Sequence, residues 1–231
     1  ASFSMSNIIF DVENNYGNFI EAKGGSLGSL TLEGCEIKNT NNNMIYSNAA
    51  ANFGTITVNN CIISNIGDGG DGVFDIRKGT VASVTLTNST ITDVKRTFIR
   101  IEVPTDFTMM NCTLYNVATV DNSNNRGLFS LAKGKTLNVE NCLFYGIGLE
   151  SPTIGVNSGV WGRSDKMKAT ATYANNYYFN CPNLWSNLYK DDYSSVATEL
   201  DPQFTDAANG DFTVQSQDLK DNQVGDPRWL K

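Results

Sequence analysis

The sequence contains no histidine, so it offers no His-based metal site and no His general base. Lys and Arg number 17 against 24 Asp and Glu, a net charge of −7, and the basic face that nucleic-acid binding requires is therefore not expected. No run of 18 apolar residues occurs, so no segment is long enough to span a membrane. The Cys-x-x-Cys spacing of many metal sites is missing too. The remaining chemistry rests on carboxylates, arginines and aromatic rings.

The chain has instead a short motif that returns along most of its length. Its clearest copy is ITVNNCIISNI at residues 56–66. Further copies lie at 30–40, 84–94, 107–117, 137–147 and 171–181, and a degenerate first copy lies at 6–12. With the sixth residue of each copy as origin, successive copies are 23–34 residues apart, a period typical of solenoids, propellers and repeat arrays.

Each repeat unit predicts short strands joined by sharp bends. Apolar residues stand five and three positions before the origin with Thr or Asn between them, the alternation of a strand with one buried face. The residue just before the origin is Asn or Gly in every copy, and both tolerate the left-handed backbone that a bend needs. A second short strand follows the origin. A third is expected later in the unit, at 20–22, 45–47, 74–76, 99–101 and 129–131.

Three strands and bends per unit predict an all-β protein, a single-stranded right-handed parallel β-helix of about seven coils. Stacked coils place like residues above one another, so the bend asparagines are expected to form a ladder that bonds backbone groups of neighbouring coils. A β-propeller is the alternative, although the periods are short for a four-stranded blade. We assign residues 1–182 to the β-helix and 183–231 to a C-terminal cap that covers its open apolar end.

The cysteines follow the repeat. Four of the five occupy the origin, where side chains point inward, and Cys181 fills another apolar slot of the last copy. Neighbouring Cβ vectors in such a stack run parallel, which suits disulfide torsion badly. The sequence therefore predicts five reduced, buried thiols that act as small apolar groups.

A resemblance emerges in the tail. The segment DPQFTDAANGDFTV, residues 201–214, resembles the DPxFxDxxxGDFxL segment that closes many bacterial pectate-lyase-like right-handed β-helix proteins. VGDPRW, residues 224–229, is similar to the chain end of a gut-bacterial subset of secreted or surface lipoproteins of unknown function. The resemblance implies an extracellular or outer-cell-surface location, a role in glycan utilisation, and upstream domains or a lipid anchor. It implies no single activity, because the fold hosts lyases, hydrolases, esterases and binders.

In pectate-lyase-like proteins the outward face of the third strand carries the active site, which makes the same face the candidate here. Its outward positions include Tyr46, Asp75 and Arg100, and two positions further on stand Arg77 and Glu102. Asp75 is expected beside Arg100 of the next coil, and Arg77 beside Glu102. We expect this face, walled by the loops 67–72 and 120–127, to bind a polysaccharide or oligosaccharide.

Catalysis on this face is the alternative. A polysaccharide lyase would use Arg100 or Arg77 on an uronate, with Asp75 and the loop residues Asp68 and Asp71 as candidate Ca²⁺ ligands.

An inverting glycoside hydrolase would instead pair Asp75 with Glu102. A third interpretation is a solvated ladder of ion pairs with no ligand. Each carboxylate has an arginine beside it, which stabilises the charged form, whereas a general acid must hold its proton. The residues therefore favour binding without catalysis and without a cofactor.

A second outward column, the aromatic strip, comprises Tyr115, Tyr145 and Phe179. A flat row of aromatic rings suits sugar faces and partner proteins alike. The alternative is that the tail folds over the strip and buries it.

Overall fold

The computed structural model describes residues 1–13, 17–67, 72–119, 127–132, 135–148, 168–181, 184 and 195–231. These residues form a parallel β-helix of three sheets, and in each sheet a strand pairs in parallel with its counterpart one coil away. The first sheet contains β1 (Ser2–Ser6), β4 (Gly25–Glu33), β7 (Ala51–Asn59), β10 (Thr80–Thr87), β13 (Asp106–Met110), β16 (Thr136–Glu140) and β18 (Thr170–Ala174).

The other two sheets complete the cross-section. The second contains β2 (Ile9–Asp11), β5 (Glu36–Thr40), β8 (Ile62–Ile66), β11 (Thr90–Val94), β14 (Thr113–Val117), β17 (Leu143–Tyr145), β19 (Tyr177–Phe179) and β20 (Thr198–Glu199). The third contains β3 (Ile20–Ala22), β6 (Ile45–Ser47), β9 (Phe74–Ile76), β12 (Ile99–Ile101) and β15 (Phe129–Leu131). The all-β parallel fold is confirmed: five coils carry three described strands each, and two more contribute to the first and second sheets.

The motif register explains the core. The alternating apolar residues of each copy stack above one another from coil to coil, and the central members of this column are at most 1% exposed: Leu30, Ile56, Val84, Phe107 and Leu137. The threonines between them face outward on the same strands. Strand alternation alone therefore sorts the side chains into a continuous core and a polar surface.

The bend asparagines adopt left-handed backbone, with φ between 50° and 53° at Asn88, Asn111, Asn141 and Asn175. They form the expected ladder, but its bonds run between side chains rather than to backbone groups. The amide Nδ2 donates to Oδ1 of the bend asparagine one coil earlier, at 2.8 Å from Asn175 and 3.1 Å from Asn141 and Asn111, whereas the amide of Asn88 donates to Asn59 Oδ1 at 2.8 Å. The amide is long enough to bridge coils whose backbone groups already bond one another in the sheets.

All five cysteines are free and buried, as predicted. The thiols of Cys61, Cys112 and Cys142 each donate to a backbone carbonyl two residues earlier, at 3.2 Å. Ser89 occupies the same column, donates likewise to the Thr87 carbonyl at 2.6 Å, and accepts from the Cys61 N–H at 3.0 Å. The column thus accepts either a thiol or a hydroxyl in one geometry.

The tail packs along the side of the rod. After β20 it makes a tight turn at Ala207–Asn209, forms the short helix α1 (Gln217–Asp221), and ends in a helical turn at Pro227–Trp229. The Gly225 N–H donates to the Asn141 carbonyl at 2.8 Å, and Asp226 Oδ2 accepts from Thr90 Oγ1 at 2.8 Å. Within the predicted cap, β20 pairs with β19 at the end of the rod, and from residue 201 onward the tail crosses successive coils laterally over the outward aromatic residues of the second sheet. None of the described helices is long and apolar enough to cross a membrane.

Candidate functional site

The third sheet brings the predicted site residues together. Tyr46, Asp75 and Arg100 are direct register partners on β6, β9 and β12, so their side chains leave the same face of adjacent coils. Arg77 and Glu102 follow two residues later on the same side. We call these five residues the third-sheet row. Its placement follows from the repeat, since each member occupies one of two equivalent positions of its own coil.

Asp75 is the centre of the row and is fully buried. Its carboxylate accepts from Arg77 at 2.6 Å (Nη2 to Oδ2) and 2.9 Å (Nε to Oδ1), a bidentate pair. Asn43 Nδ2 donates to Oδ2 at 3.1 Å, and Arg100 Nε lies 3.8 Å from Oδ1. Several charge-assisted bonds on one carboxylate fix both its position and that of the guanidinium groups around it.

The closest ion pairs of both arginines run along their own strands, and the 3.8 Å contact of Arg100 with Asp75 runs across coils. Arg77, which directly follows β9, binds Asp75 on that strand, and Glu102 accepts from Arg100 Nε at 2.9 Å. Residues two apart in a strand project to the same side about 6.6 Å apart, a distance that a long arginine side chain spans. The guanidinium of Arg77 also lies over the Tyr46 ring, 5.4 Å from its centroid, a cation–π geometry.

Exposure separates the row into supporting and accessible groups. The side chain of Asp75 is 0% exposed, that of Arg100 11%, that of Arg77 27% and that of Glu102 45%. Tyr46 is half-buried. A molecule on this face would therefore meet the Tyr46 ring, the edge of Arg77 and the Glu102 carboxylate, while Asp75 holds the arginines from beneath.

Asn43 is the residue that sequence analysis missed. It is 1% exposed and donates to Asp75 from the bend before β6. It lies in a run of three asparagines, residues 41–43, that the pattern assigned to a loop. The sequence signal that could have identified Asn43 is its position two residues before Ile45, the first residue of β6. From there its side chain can reach Asp75 in the next coil.

The candidate metal ligands Asp68 and Asp71 lie outside the described residues, as do residues 120–126 of the second loop. Within the described ranges, no group of three or more His, Cys, Asp or Glu residues could hold a metal ion. The row itself offers no such set, because the oxygens of Asp75 already accept from nitrogen donors.

The aromatic strip is covered by the tail, the alternative considered above. The rings of Tyr115 and Tyr145 stack with centroids 5.2 Å apart and 17° between planes. Phe212 lies 5.2 Å from Tyr115, and Phe204 lies 5.5 Å from Tyr145. Burial raises the pKa of the Tyr115 hydroxyl. The structure thus places Tyr115, Tyr145 and Phe179 in a packed aromatic cluster beneath the tail.

Comparisons with known proteins found family matches only. A family model described as "Domain of unknown function (DUF5123)" matches residues 107–229, more than half of the chain. A second model, "Domain of unknown function (DUF4957)", matches residues 1–94. No curated protein and no solved structure matched. The two matched segments meet inside the β-helix, where β10 pairs with β13 and β11 pairs with β14 without interruption.

Proposed function

We propose that this chain, which belongs to the family described as domain of unknown function DUF5123, binds a polysaccharide or oligosaccharide on the third-sheet row without cleaving it. The observation that supports the proposal is the Tyr46 ring beside two partly exposed charged groups, Arg77 and Glu102, on a rigid parallel sheet. Aromatic faces pack against the C–H faces of sugars, and fixed ionic groups bond pairs of hydroxyls.

Preorganisation supports the binding function. Asp75 and Asn43 are buried beneath the surface, and their bonds hold Arg77 in one orientation before any ligand arrives. A long side chain that is already fixed loses little conformational entropy on binding, so more of the contact energy is available for affinity. The buried pair thus acts as a positioning element for the groups that a glycan would touch.

The same geometry argues against catalysis. A general acid must hold a proton and reach the glycosidic oxygen. Asp75 is fully buried and bound by Arg77, and Glu102 is bound by Arg100. The polysaccharide lyase and inverting glycoside hydrolase remain as alternatives that a cleavage assay can detect.

We expect a neutral or weakly charged ligand. The chain carries a net charge of −7, which repels a polyanion such as polygalacturonate at long range. Within the row, Asp75 and Glu102 balance Arg77 and Arg100, so the described site has no net charge. Ca²⁺ would matter only if Asp68 and Asp71 ligate it.

The test is a glycan array with and without Ca²⁺, read beside assays for reducing ends and unsaturated uronates. Tyr46→Ala should weaken the best array ligand at least about tenfold, because it removes the stacking face. The double variant Asp75→Ala/Arg100→Ala should abolish binding. Lys38→Ala, on the second sheet, is the matched control and should bind normally. Unchanged binding by the Tyr46 and double variants would show that the site lies elsewhere. Cleavage of any polymer by the wild type would show that the protein is an enzyme and contradict the non-catalytic proposal.

The proposal extends to location and context. A glycan binder of this kind is expected at the outer cell surface or outside the cell, within a glycan-utilisation system and joined to upstream domains or a lipid anchor. Protease accessibility of the full-length protein on intact cells of its source tests the location. Protection equal to that of a cytoplasmic marker would contradict it.

A further inference from the structure

The end of the tail follows the ladder of bend asparagines along the rod. It bonds three of them in turn, through the Asn222 carbonyl at 3.1 Å, the Gly225 N–H at 2.8 Å and Arg228 Nη2 at 2.7 Å: Asn175, Asn141 and Asn60. Asn111 lies between the second and the third of these, and its described side-chain bonds run only to its neighbours in the ladder. Among the described contacts, the tail therefore passes Asn111 without a hydrogen bond.

A cavity of about 250 Å³ lies at this position. Asn111 lines it from the rod, and four residues line it from the tail: Lys220, Gln223, Pro227 and Leu230. Asn111 follows β13 of the first sheet and precedes β14 of the second, so the cavity is separate from the third-sheet row. We call this cavity the ladder pocket. Pockets for drug-sized molecules start at about 300 Å³, so a smaller ligand suits this one.

Lys220 brings a positive charge without a counter-charge. The residue is half-buried, and among the described residues its ammonium has no ion-pair or hydrogen-bond partner. The surrounding tail is neutral, since residues 215–231 contain three acidic and three basic residues: Asp218, Asp221 and Asp226 against Lys220, Arg228 and Lys231. Asp226 is already bonded by the Arg228 N–H and by Thr90 Oγ1. Because charges beyond about 8 Å are screened at physiological salt, Lys220 favours an anionic group in the pocket.

Gln223 keeps an amide at a position that usually has no side chain. Its φ is 53°, and it follows the end of α1. Its N–H donates to the Lys220 carbonyl at 3.0 Å, and the Val224 N–H donates to the Leu219 carbonyl at 3.0 Å. These two bonds define a Schellman helix end, whose left-handed residue is most often glycine. The chain therefore carries backbone strain at the one residue that gives the pocket its tail amide.

The remaining lining residues narrow the chemistry of the ligand. The Asn111 amide has two N–H groups, and its described bond to Asn88 uses one of them. Pro227 and Leu230 form an apolar part of the lining. A ligand that uses all of these groups has a negative charge, hydroxyls that accept hydrogen bonds from amides, and an apolar C–H face.

We infer that the ladder pocket binds a small hydroxylated carboxylate with the size and chemistry of a single uronic acid. Its carboxylate lies at Lys220, and its hydroxyls accept from Gln223 and Asn111. Its C–H face packs on Pro227 and Leu230. Inorganic phosphate matches the charge but not the apolar part of the lining. A monosaccharide with one charge also avoids most of the long-range repulsion that a polyanion meets.

Calorimetric titration of the whole chain with galacturonate and with glucuronate tests the pocket. We expect one of them to bind with a Kd of about 1 mM, and galactose and phosphate to bind at least about tenfold more weakly. Lys220→Gln should weaken binding at least about tenfold, because the counter-charge is lost. Gln223→Gly should weaken binding about threefold or more while the melting temperature stays equal or rises, because glycine adopts the left-handed backbone without strain. A purely structural Gln223 would not separate these two quantities.

Two controls locate the effect. Lys78→Gln removes an exposed lysine that does not line the pocket, and Tyr46→Ala alters the third-sheet row, so both variants should bind the uronic acid as the wild type does. No binding of either uronic acid at about 20 mM would overturn the inference. Equal binding of galactose or phosphate, or unchanged binding by Lys220→Gln, would overturn it as well. Because the third-sheet row takes no part in this site, such a failure is distinct from a failure of the proposed function.

Discussion

Arg228 Nη2 donates to both the backbone carbonyl and the side-chain Oδ1 of Asn60, at 2.9 and 2.7 Å, although the two residues lie 168 positions apart. Asn60 is a bend residue of the third coil, and Arg228 is in the last turn of the tail. The bond therefore joins the end of the chain to its first half across the side of the rod. The tail is part of the folded unit rather than an appendage.

Trp229 tests this attachment. Its Nε1 donates to Thr90 Oγ1 at 2.7 Å, and its ring lies 5.7 Å from Phe212. Trp229→Ala should lower the free energy of unfolding by about 2–3 kcal/mol, because it removes both contacts. Trp229→Phe keeps a ring and should cost less. Equal urea midpoints for Trp229→Ala and the wild type would show that the tail adds nothing to stability.

Asn111 tests the ladder. It accepts from Asn141 and donates to Asn88, and its φ is 52°. Asn111→Leu should cost about 1–3 kcal/mol, since two amide bonds are lost and a leucine is strained in left-handed backbone. Asn111→Gly also removes the amide bonds, but glycine adopts the left-handed backbone without strain. It should therefore lower the free energy of unfolding by less than Asn111→Leu does. Thermal unfolding measures both, and a melting temperature for the leucine variant within error of wild type would contradict the ladder.

The buried pair predicts non-additive stability changes. Asp75→Ala leaves Arg77 and Arg100 without their shared carboxylate and should cost about 3 kcal/mol. Asp75→Ala/Arg77→Ala removes both halves of the closer pair and should cost no more than the single change. Glu102→Gln, at an accessible carboxylate, is the mild control. Chemical denaturation measures the free energy of unfolding of each variant. A loss in the double variant equal to the sum of the losses in Asp75→Ala and Arg77→Ala would refute the coupling.

The thiols predict an alkaline limit to stability. Burial raises the pKa of Cys61 from 9.0 to about 11 and that of Cys181 to about 12. The folded state therefore holds these thiols neutral. Their contribution to the free energy of unfolding is complete below about pH 9 and is lost as the pH rises through about 11. The free energy of unfolding should fall as the pH rises from about 9 to about 11, and Cys61→Ala should flatten the slope.

Thiol titration checks the same column directly. The native protein at neutral pH should react slowly, because thiolate is the nucleophile and the five sulfurs are buried. The denatured, unreduced protein should yield all five thiols. A yield of one would mean two disulfides and would contradict the buried column.

The strands were predictable from sequence because each coil repeats the same pattern of inward apolar residues and bend asparagines. The alternation around Ile56 and Val58 and the bend at Asn60 recur in the other copies, so errors in one copy are corrected by the rest. Side-chain partners were less predictable. The repeat places Arg77 beside Glu102 in register, but it does not say that Arg77 turns along its own strand to Asp75.

The tail was the least predictable part for the same reason. It has no second copy, and its partners Thr90, Asn60 and Asn141 are ordinary members of the repeat. Its aromatic residues predicted apolar cover, and burial of the aromatic strip beneath the tail was one of the sequence-based alternatives, but the individual contacts of Phe204 and Phe212 were not predictable. In the third-sheet row, the buried contact from Asn43 escaped notice because asparagine is common in bends.

The unbroken strand pairing between β10 and β13 also concerns how such chains evolve. The two matched segments, 1–94 and 107–229, share a single hydrogen-bonded ladder and a single core. A gene that inherited either segment alone would expose a full cross-section of apolar side chains at the cut. The two segments are therefore expected to be gained and lost together in evolution. They are also expected to unfold together, in one calorimetric transition.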